Sequence, residues 1–255
     1  RDLHAFPPRR SSDLGTGAEE TFEAGLGDDF VDGGTNNDTY IYNRGDGNDT
    51  YDDFDRFGSG NDTVELRGIA VSDVTVDRDG GSVVLLIAES APGAGDAGSI
   101  TLLSSFDTVN SRGIENVTFD DGTSWTRADL QRLYIERLST DNDDFIQASG
   151  SEDQIEAGLG DDFVNGGNAN DTYIYNRGDG NDTYDDFDRF NSGNDTVELR
   201  GINVADVTVT RDGESVILTI AESAPGAGDN GSVTLLSSFN TVNSRGIENV
   251  TFDDG

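Results

Sequence analysis

An all-β fold is predicted, with blocks of stacked nine-residue turns alternating with small antiparallel β sections, and one helix connecting two copies. Three observations predict it. Between Ser139 and Asp185 an aspartate returns every nine residues, at Asp144, Asp153, Asp162 and Asp171, and after a two-residue insertion at Asp182. Two positions after each stands an apolar residue: Ile146, Ile155, Val164, Tyr173 and Tyr184. The pattern is also duplicated. Ala24–Gly122 aligns with Ala157–Gly255 at a constant offset of 133, with 13 differences over 99 positions. Repeats of this kind are read before domains are drawn.

Taken in order, residues 1–14 read as a non-native leader, because Arg9 to Leu14 looks like a translated sequencing adapter. Residues 15–63 are the first turn block, a degenerate copy in which Asp29, Asp38 and Asp49 precede Val31, Tyr40 and Tyr51. Residues 64–126 read as short strands. Asp73–Val76 and Ser82–Ile87 flank Arg78-Asp79-Gly80-Gly81, a hairpin signal. Ser90–Gly98 is a Gly/Pro loop. Ile114–Phe119 and Thr123–Trp125 flank Asp120-Asp121-Gly122, a second hairpin. Residues 127–138 are the connecting helix, capped by Thr126 with Asp129 in its first turn, and Leu130, Leu133, Tyr134 and Leu138 recur at helical spacing. Residues 139–196 are the second turn block. Residues 197–255 are the second β section, which stops short of the first copy's Thr123–Thr126. The missing methionine and this abrupt end lead to the expectation of a fragment.

Each nonapeptide follows one local logic. In Ala157–Asn165, six residues rich in glycine and aspartate make a turn, and glycine permits the positive φ and close backbone approach that stacking requires. Three residues then form a short strand whose middle side chain points inward. One such strand cannot bury a core, but stacked windings can, and Ile146, Ile155, Val164 and Tyr173 are the expected interior.

The charge balance bounds the function. The chain has 255 residues, 51 acidic and 16 basic, for a net charge of -35, and every basic residue is arginine. Self-repulsion at that charge opposes compactness unless cations neutralise it. Nucleic acid and anionic membrane are poor partners for the same reason. No cysteine is present, so thiolate metal sites and disulfides are excluded. No apolar run approaches the roughly 20 residues that span a bilayer, and no signal peptide is visible. The chain carries no HExxH, no GxSxG and no cysteine nucleophile, and its one histidine, His4, lies in the leader. Carboxylate pairs recur with the turns, as a metal lattice requires, whereas a catalytic pair should occur once. The expectation is a protein segment that is not an enzyme.

Aspartates repeated at one place in stacked turns form rows of negative charge that need a counter-ion. Carboxylates and turn carbonyls are hard oxygen ligands, which suit Ca²⁺ better than zinc or copper. With two turns per winding, ions are expected between turns 18 residues apart, pairing Asp144 with Asp162 and Asp153 with Asp171. Asp29 pairs with Asp49 across the insertion, and Glu20 with Asp38 is weaker. Asp62, Asp182 and Asp195 complete the candidate metal ligands. Ala169 and Asn36 stand where a turn glycine is expected, so the turn holding Asp171 is expected to be distorted. Ala148–Ser151 has lost the usual turn features beside Asp153.

Gly158-x-Gly160-x-Asp162-x-Val164 and Gly166-Gly167-x-x-x-Asp171-x-Tyr173 resemble the glycine-rich RTX calcium-binding nonapeptide. Gly45–Tyr51, Gly60–Val64, Asp73-Val74, Ser99–Leu102 and Gly113–Trp125 resemble the haemolysin-type calcium-binding-related domain that often follows such repeats. The resemblance implies a right-handed parallel β-roll that folds on binding calcium outside a bacterial cell, after passage through a type I secretion apparatus. The function it implies is a stabilising repeat segment of a large secreted or surface protein. An adhesin-type module, with Thr39, Thr50 and Thr63 as an outward strip, is one alternative. The C-terminal region of a protease or lipase whose catalytic domain lies elsewhere is another.

Overall fold

A computed structural model describes residues 12–53, 60–106, 113–186, 193–239 and 246–254. Residues 1–11 of the expected leader, with His4, lie outside them. The chain divides into two compact units, Arg1–Leu130 and Gln131–Gly255.

The first unit holds β1 (Ser12–Leu14), β2 (Thr21–Glu23), β3 (Phe30–Asp32), β4 (Thr39–Asn43), β5 (Asn48–Asp52), β6 (Thr63–Arg67), β7 (Val74–Asp79), β8 (Ser82–Ile87), β9 (Gly98–Leu102), β10 (Asn116–Phe119) and β11 (Ser124–Thr126). The helix α1 (Arg127–Leu138) follows. The second unit holds β12 (Phe145–Gln147), β13 (Gln154–Glu156), β14 (Phe163–Asn165), β15 (Thr172–Asn176), β16 (Asn181–Asp185), β17 (Thr196–Arg200), β18 (Val207–Asp212), β19 (Ser215–Ile220), β20 (Gly231–Leu235) and β21 (Asn249–Phe252).

Successive strands of a turn block alternate between two sheets. In the second unit the orders are β12-β14-β16-β20-β19-β18 and β13-β15-β17-β21. Ile146 stands beside Val164 and Val164 beside Tyr184, all in parallel register. Each winding thus adds one strand to each sheet, which is the parallel β-roll. The first unit repeats this arrangement.

The first strand, Ser12–Leu14, pairs in parallel with Phe30–Asp32. The roll therefore begins inside the stretch read as leader. The β sections also continue the two sheets rather than starting new ones. β9 stacks in parallel on β5 and β10 on β6, and only then do β8, β7 and β11 turn antiparallel. Of the three threonines read as an outward strip, Thr39 and Thr63 pair across β4 and β6, but Thr50 lies on β5 in the other sheet.

The interior is the one expected from period nine. Ile146, Val164 and Tyr173 are fully buried and Ile155 is 2% exposed. Burying side chains of this size stabilises by about 1.5–3 kcal/mol each. Tyr173 stacks on Tyr184 with ring centroids 5.1 Å apart, and Tyr40 on Tyr51 at 5.2 Å. The buried phenols keep partners, as they must. Tyr173 Oη donates to the Asp185 carbonyl at 3.0 Å and accepts the Gly166 N–H at 2.9 Å. The helix matches its predicted bounds, and Thr126 and Asp129 cap it reciprocally. Ile135 enters the second unit's core, with Tyr134 and Leu138 packed against it. Trp125 is buried edge-on against Phe119 at 4.6 Å.

One arginine per unit clamps the roll to its β section. Arg177 donates to the carbonyls of Gly201 and Ala221, both at 2.7 Å, and pairs with Asp206 at 2.6 Å. Arg44 does the same with Gly68, Ala88 and Asp73. Three loops that lie far apart in sequence are thereby fixed by one rigid guanidinium fork.

The expected distortion at Ala169 is not seen. Ala169 adopts φ 80° and its counterpart Asn36 adopts φ 76°, so the turn keeps its left-handed shape in both units. An alanine in that region is strained by roughly 1–2 kcal/mol. Asn36 adds a hydrogen bond from Nδ2 to the Gly17 carbonyl at 2.7 Å, which alanine cannot make. Ala169→Gly is therefore expected to stabilise the calcium-loaded chain by about 1 kcal/mol. Thermal melts should show a rise of a few degrees, and an unchanged or lowered midpoint would contradict the strain.

Candidate metal centre

The turns set the aspartates in ladders. Beyond the first residue of each column, a carboxylate accepts, through one oxygen, the backbone N–H of the equivalent residue one winding earlier. In the second unit the Asp144 N–H donates to Asp162 Oδ1 at 2.8 Å, and the Asp162 N–H to Asp182 Oδ1 at 3.2 Å. A second column runs from the Asp153 N–H to Asp171 Oδ1 at 2.8 Å, from Asp171 to Asp195 Oδ1 at 2.7 Å, and from Asp195 to Glu248 Oε2 at 2.8 Å. The first unit repeats both. The Asp29 N–H donates to Asp49 Oδ1 at 3.0 Å. The other column links Glu20 to Asp38 at 2.7 Å, Asp38 to Asp62 at 2.7 Å and Asp62 to Glu115 at 2.9 Å.

All ten candidate ligands lie in these columns, and each pair expected from the 18- and 20-residue spacings is brought together. Nine of the ten are buried, and Asp144 is half-exposed. Glu20 holds its place beside Asp38 despite the longer side chain. Asp153 keeps its position because the Ser149 N–H and hydroxyl both donate to its Oδ2 at 2.8 Å, closing a turn that lacks the usual glycines.

The second oxygen of these carboxylates carries the chemistry. Those of Asp49 and Asp182 accept the phenols of Tyr51 and Tyr184 at 3.0 Å. Asp38 Oδ2 and Asp162 Oδ2 are buried with no hydrogen-bond partner. A buried, unsatisfied carboxylate oxygen is costly, and a hard cation is the partner its chemistry asks for. Glycine keeps the space around the carboxylates open. A Cβ on Gly33 would stand 2.8 Å from Asp38 Oδ2, and one on Gly166 would stand 2.5 Å from Asp171 Oδ2.

The electrostatics agree. Burial first, and neighbouring carboxylates after it, push Asp38 and Asp162 up to about 6 from the ordinary 3.8. Burial does the same at Asp49, to about 6, and at Asp182, to about 7. A ladder of acids that resist ionisation when alone is one that a divalent cation would charge and hold.

Comparison with known families gives the ladder its name. Residues 14–51 and 138–173 match the RTX calcium-binding nonapeptide repeat (4 copies). The chain carries RTX repeats. Residues 91–129 match the haemolysin-type calcium binding protein related domain. Calcium is the ion that RTX repeats bind, and the orphaned oxygens of Asp38 and Asp162 fit it. No curated protein matches the chain. Among solved structures, the extracellular lipase LipA from Serratia marcescens is similar at 16% identity and a TM-score of 0.27, over 91% of this chain. The chain spans 39% of that lipase's length.

Sequence reasoning missed four acidic residues at or beside the ladders. Glu115 and Glu248 end the columns that begin at Glu20 and Asp153. A signal was present, since Glu115 stands two positions before the buried Val117, just as Asp62 stands before Val64. Asp53 and Asp186 lie outside the nine-residue phase. Each joins two ladder aspartates in a buried trio, Asp38–Asp53–Asp62 and Asp171–Asp186–Asp195, with one carboxylate oxygen of each within 4.8 Å of the others. Burial, and then the hydrogen bond to Asp62 or Asp195, drives the Asp53 and Asp186 carboxyls well above the usual carboxylate range.

Proposed function

We propose that this chain is a calcium-dependent, non-catalytic repeat segment of a larger secreted or surface bacterial protein, and that it folds when it meets calcium outside the cell. The observation that carries the reading is the pair of buried aspartate columns per unit, within which Asp38 Oδ2 and Asp162 Oδ2 stand without hydrogen-bond partners. Ligand that binds the folded roll and not the open chain drives folding by linkage. In a cytosol poor in calcium, an acidic chain of net charge -35 stays extended, a form suited to export through a type I secretion apparatus. Outside, the ions neutralise the columns and the windings close. Activity of the parent protein, as an adhesin, protease or lipase, resides in sequence beyond this segment.

The position of the calcium midpoint tests this. A segment meant to remain open in the cytosol should gain its far-UV β-signal at calcium concentrations on the order of 10⁻⁴–10⁻³ M, the range of extracellular modules. Magnesium at equal concentration should fail to replace it, because the smaller ion demands a tighter octahedron. A midpoint below about 10⁻⁶ M, in the range of cytosolic sensors and buffers, would contradict folding outside the cell.

A further inference from the structure

The buried trios are not explained by the nonapeptide phase. Asp53 follows β5 and occupies the place that the glycines Gly15 and Gly33 take in the two turns stacked before it. Instead of leaving the space open, it fills it with a carboxylate that is 1% exposed. Asp53 is hydrogen-bonded to Asp62, and its Oδ1 accepts the Tyr40 phenol at 3.3 Å. Asp38 completes the group. Its Oδ1 is taken by the Glu20 N–H, while its Oδ2, buried and without a hydrogen-bond partner, lies beside Gly33 on the side of the Tyr40 hydroxyl. So three carboxylates and a phenol oxygen converge on one enclosed place. The second unit builds the same trio from Asp171, Asp186 and Asp195, with Tyr173 Oη at 3.2 Å from Asp186 Oδ1.

The dimensions suit a cation. Oxygens bound to calcium lie at about 2.3–2.6 Å, so two on opposite sides of the ion are at most about 5 Å apart. The three oxygens of each trio lie within 4.8 Å of one another. Arg127 donates to Glu115 Oε1 at 2.6 Å and to the Gly113 carbonyl at 3.0 Å.

We propose that Asp53 and Asp186 each complete an enclosed three-carboxylate site for a calcium-class divalent cation, with Asp38 and Asp62 in one unit and Asp171 and Asp195 in the other. The inference rests on the reading of the chain as a calcium binder and adds two ligands that the repeat pattern does not contain.

The rival occupant is a proton shared between Asp53 and Asp62, and asparagine separates the two. Its amide can donate to Asp62 as a protonated Asp53 would, so Asp53→Asn and Asp186→Asn preserve a proton-bridged pair and weaken a cation site. Equilibrium dialysis with radioactive calcium should count two fewer ions per chain in the double variant than in the wild type, with the calcium-induced β-signal retained. An equal count overturns this proposal while leaving the proposed function intact. A wild-type chain that binds no calcium overturns the function itself. If the double variant fails to fold, wild-type crystals soaked in terbium decide the matter. An anomalous peak bounded by Asp38, Asp53 and Asp62 supports the site, and its absence rejects it.

Discussion

Chelation of calcium at pH 7.5 is expected to unfold the whole chain, with loss of the far-UV β-signal and expansion toward the roughly 56 Å radius of gyration of an unfolded chain of this length. The size of the effect follows from mass action. A site filled at a hundred times its dissociation constant contributes about 2.7 kcal/mol to the folded state. Three or four such sites sum to about 8–11 kcal/mol, which is comparable to the entire net stability of an ordinary domain at about 5–15 kcal/mol. The repulsive term acts in the same direction. Nine of the ten ladder aspartates are buried, and they stack one winding on the next, with Arg127 paired to Glu115 at the end of one column. Removing the ions therefore deletes the attraction and exposes the repulsion together. Hydrophobic packing alone does not compensate, because each roll strand contributes chiefly one inward side chain per winding, such as Ile155 or Val164. Restoring calcium should recover the signal. A chain that keeps its spectrum in excess chelator would show that the aspartate columns are not what holds the roll.

How much of this was legible in the sequence depends on whether a residue obeys the period. Ile146, Val164 and Tyr173 were readable as core, and Asp144, Asp162 and Asp182 as one column, because period nine fixes both the strand and the residue two places before its centre. The insertion Tyr175-Asn176 did not hide Asp182, since the same aspartate-to-tyrosine spacing returns after it. What escaped was everything outside that phase. Asp53 stands at a glycine's place and carries no periodic signal. Arg44 and Arg177 act across 24 to 44 residues of chain, a range over which local pattern is silent. That β9 stacks on β5 was equally hidden. Ser99–Leu102 reads as any short strand, and its parallel neighbour is set by how the Tyr42 hydroxyl and the Gly47 carbonyl receive Gly98, whose absent Cβ would otherwise lie 2.1 Å from that hydroxyl. Ala169 shows the converse error. A residue-level penalty was read correctly, but the stacked windings on either side hold the turn in place against it.

Acidification of the calcium-free chain is expected to restore β-structure, the opposite of ordinary acid denaturation. In the folded roll, burial raises Asp38, Asp49 and Asp162 to about 6 and Asp182 to about 7, against an ordinary value of 3.8 that the open chain retains. Between these values the folded state binds more protons than the unfolded state, so stability falls as pH rises. The contribution of these groups is fully present below about pH 4 and is lost as pH climbs through about 6 to 7. Protons thus do what calcium does, cancelling charge in the columns, though without bridging one winding to the next. In excess chelator the far-UV β-signal should grow as pH is lowered from 8 to 4.5, most steeply between 7 and 5. With calcium present the sign reverses, because protons and ions compete for the same oxygens and the calcium midpoint should rise as pH falls. Asp162→Asn and Asp182→Asn together should flatten the first of these curves, since an amide has no charge to lose. A metal-free chain whose spectrum is the same at pH 8 and pH 4.5 would mean that the buried carboxylates do not govern closure of the roll.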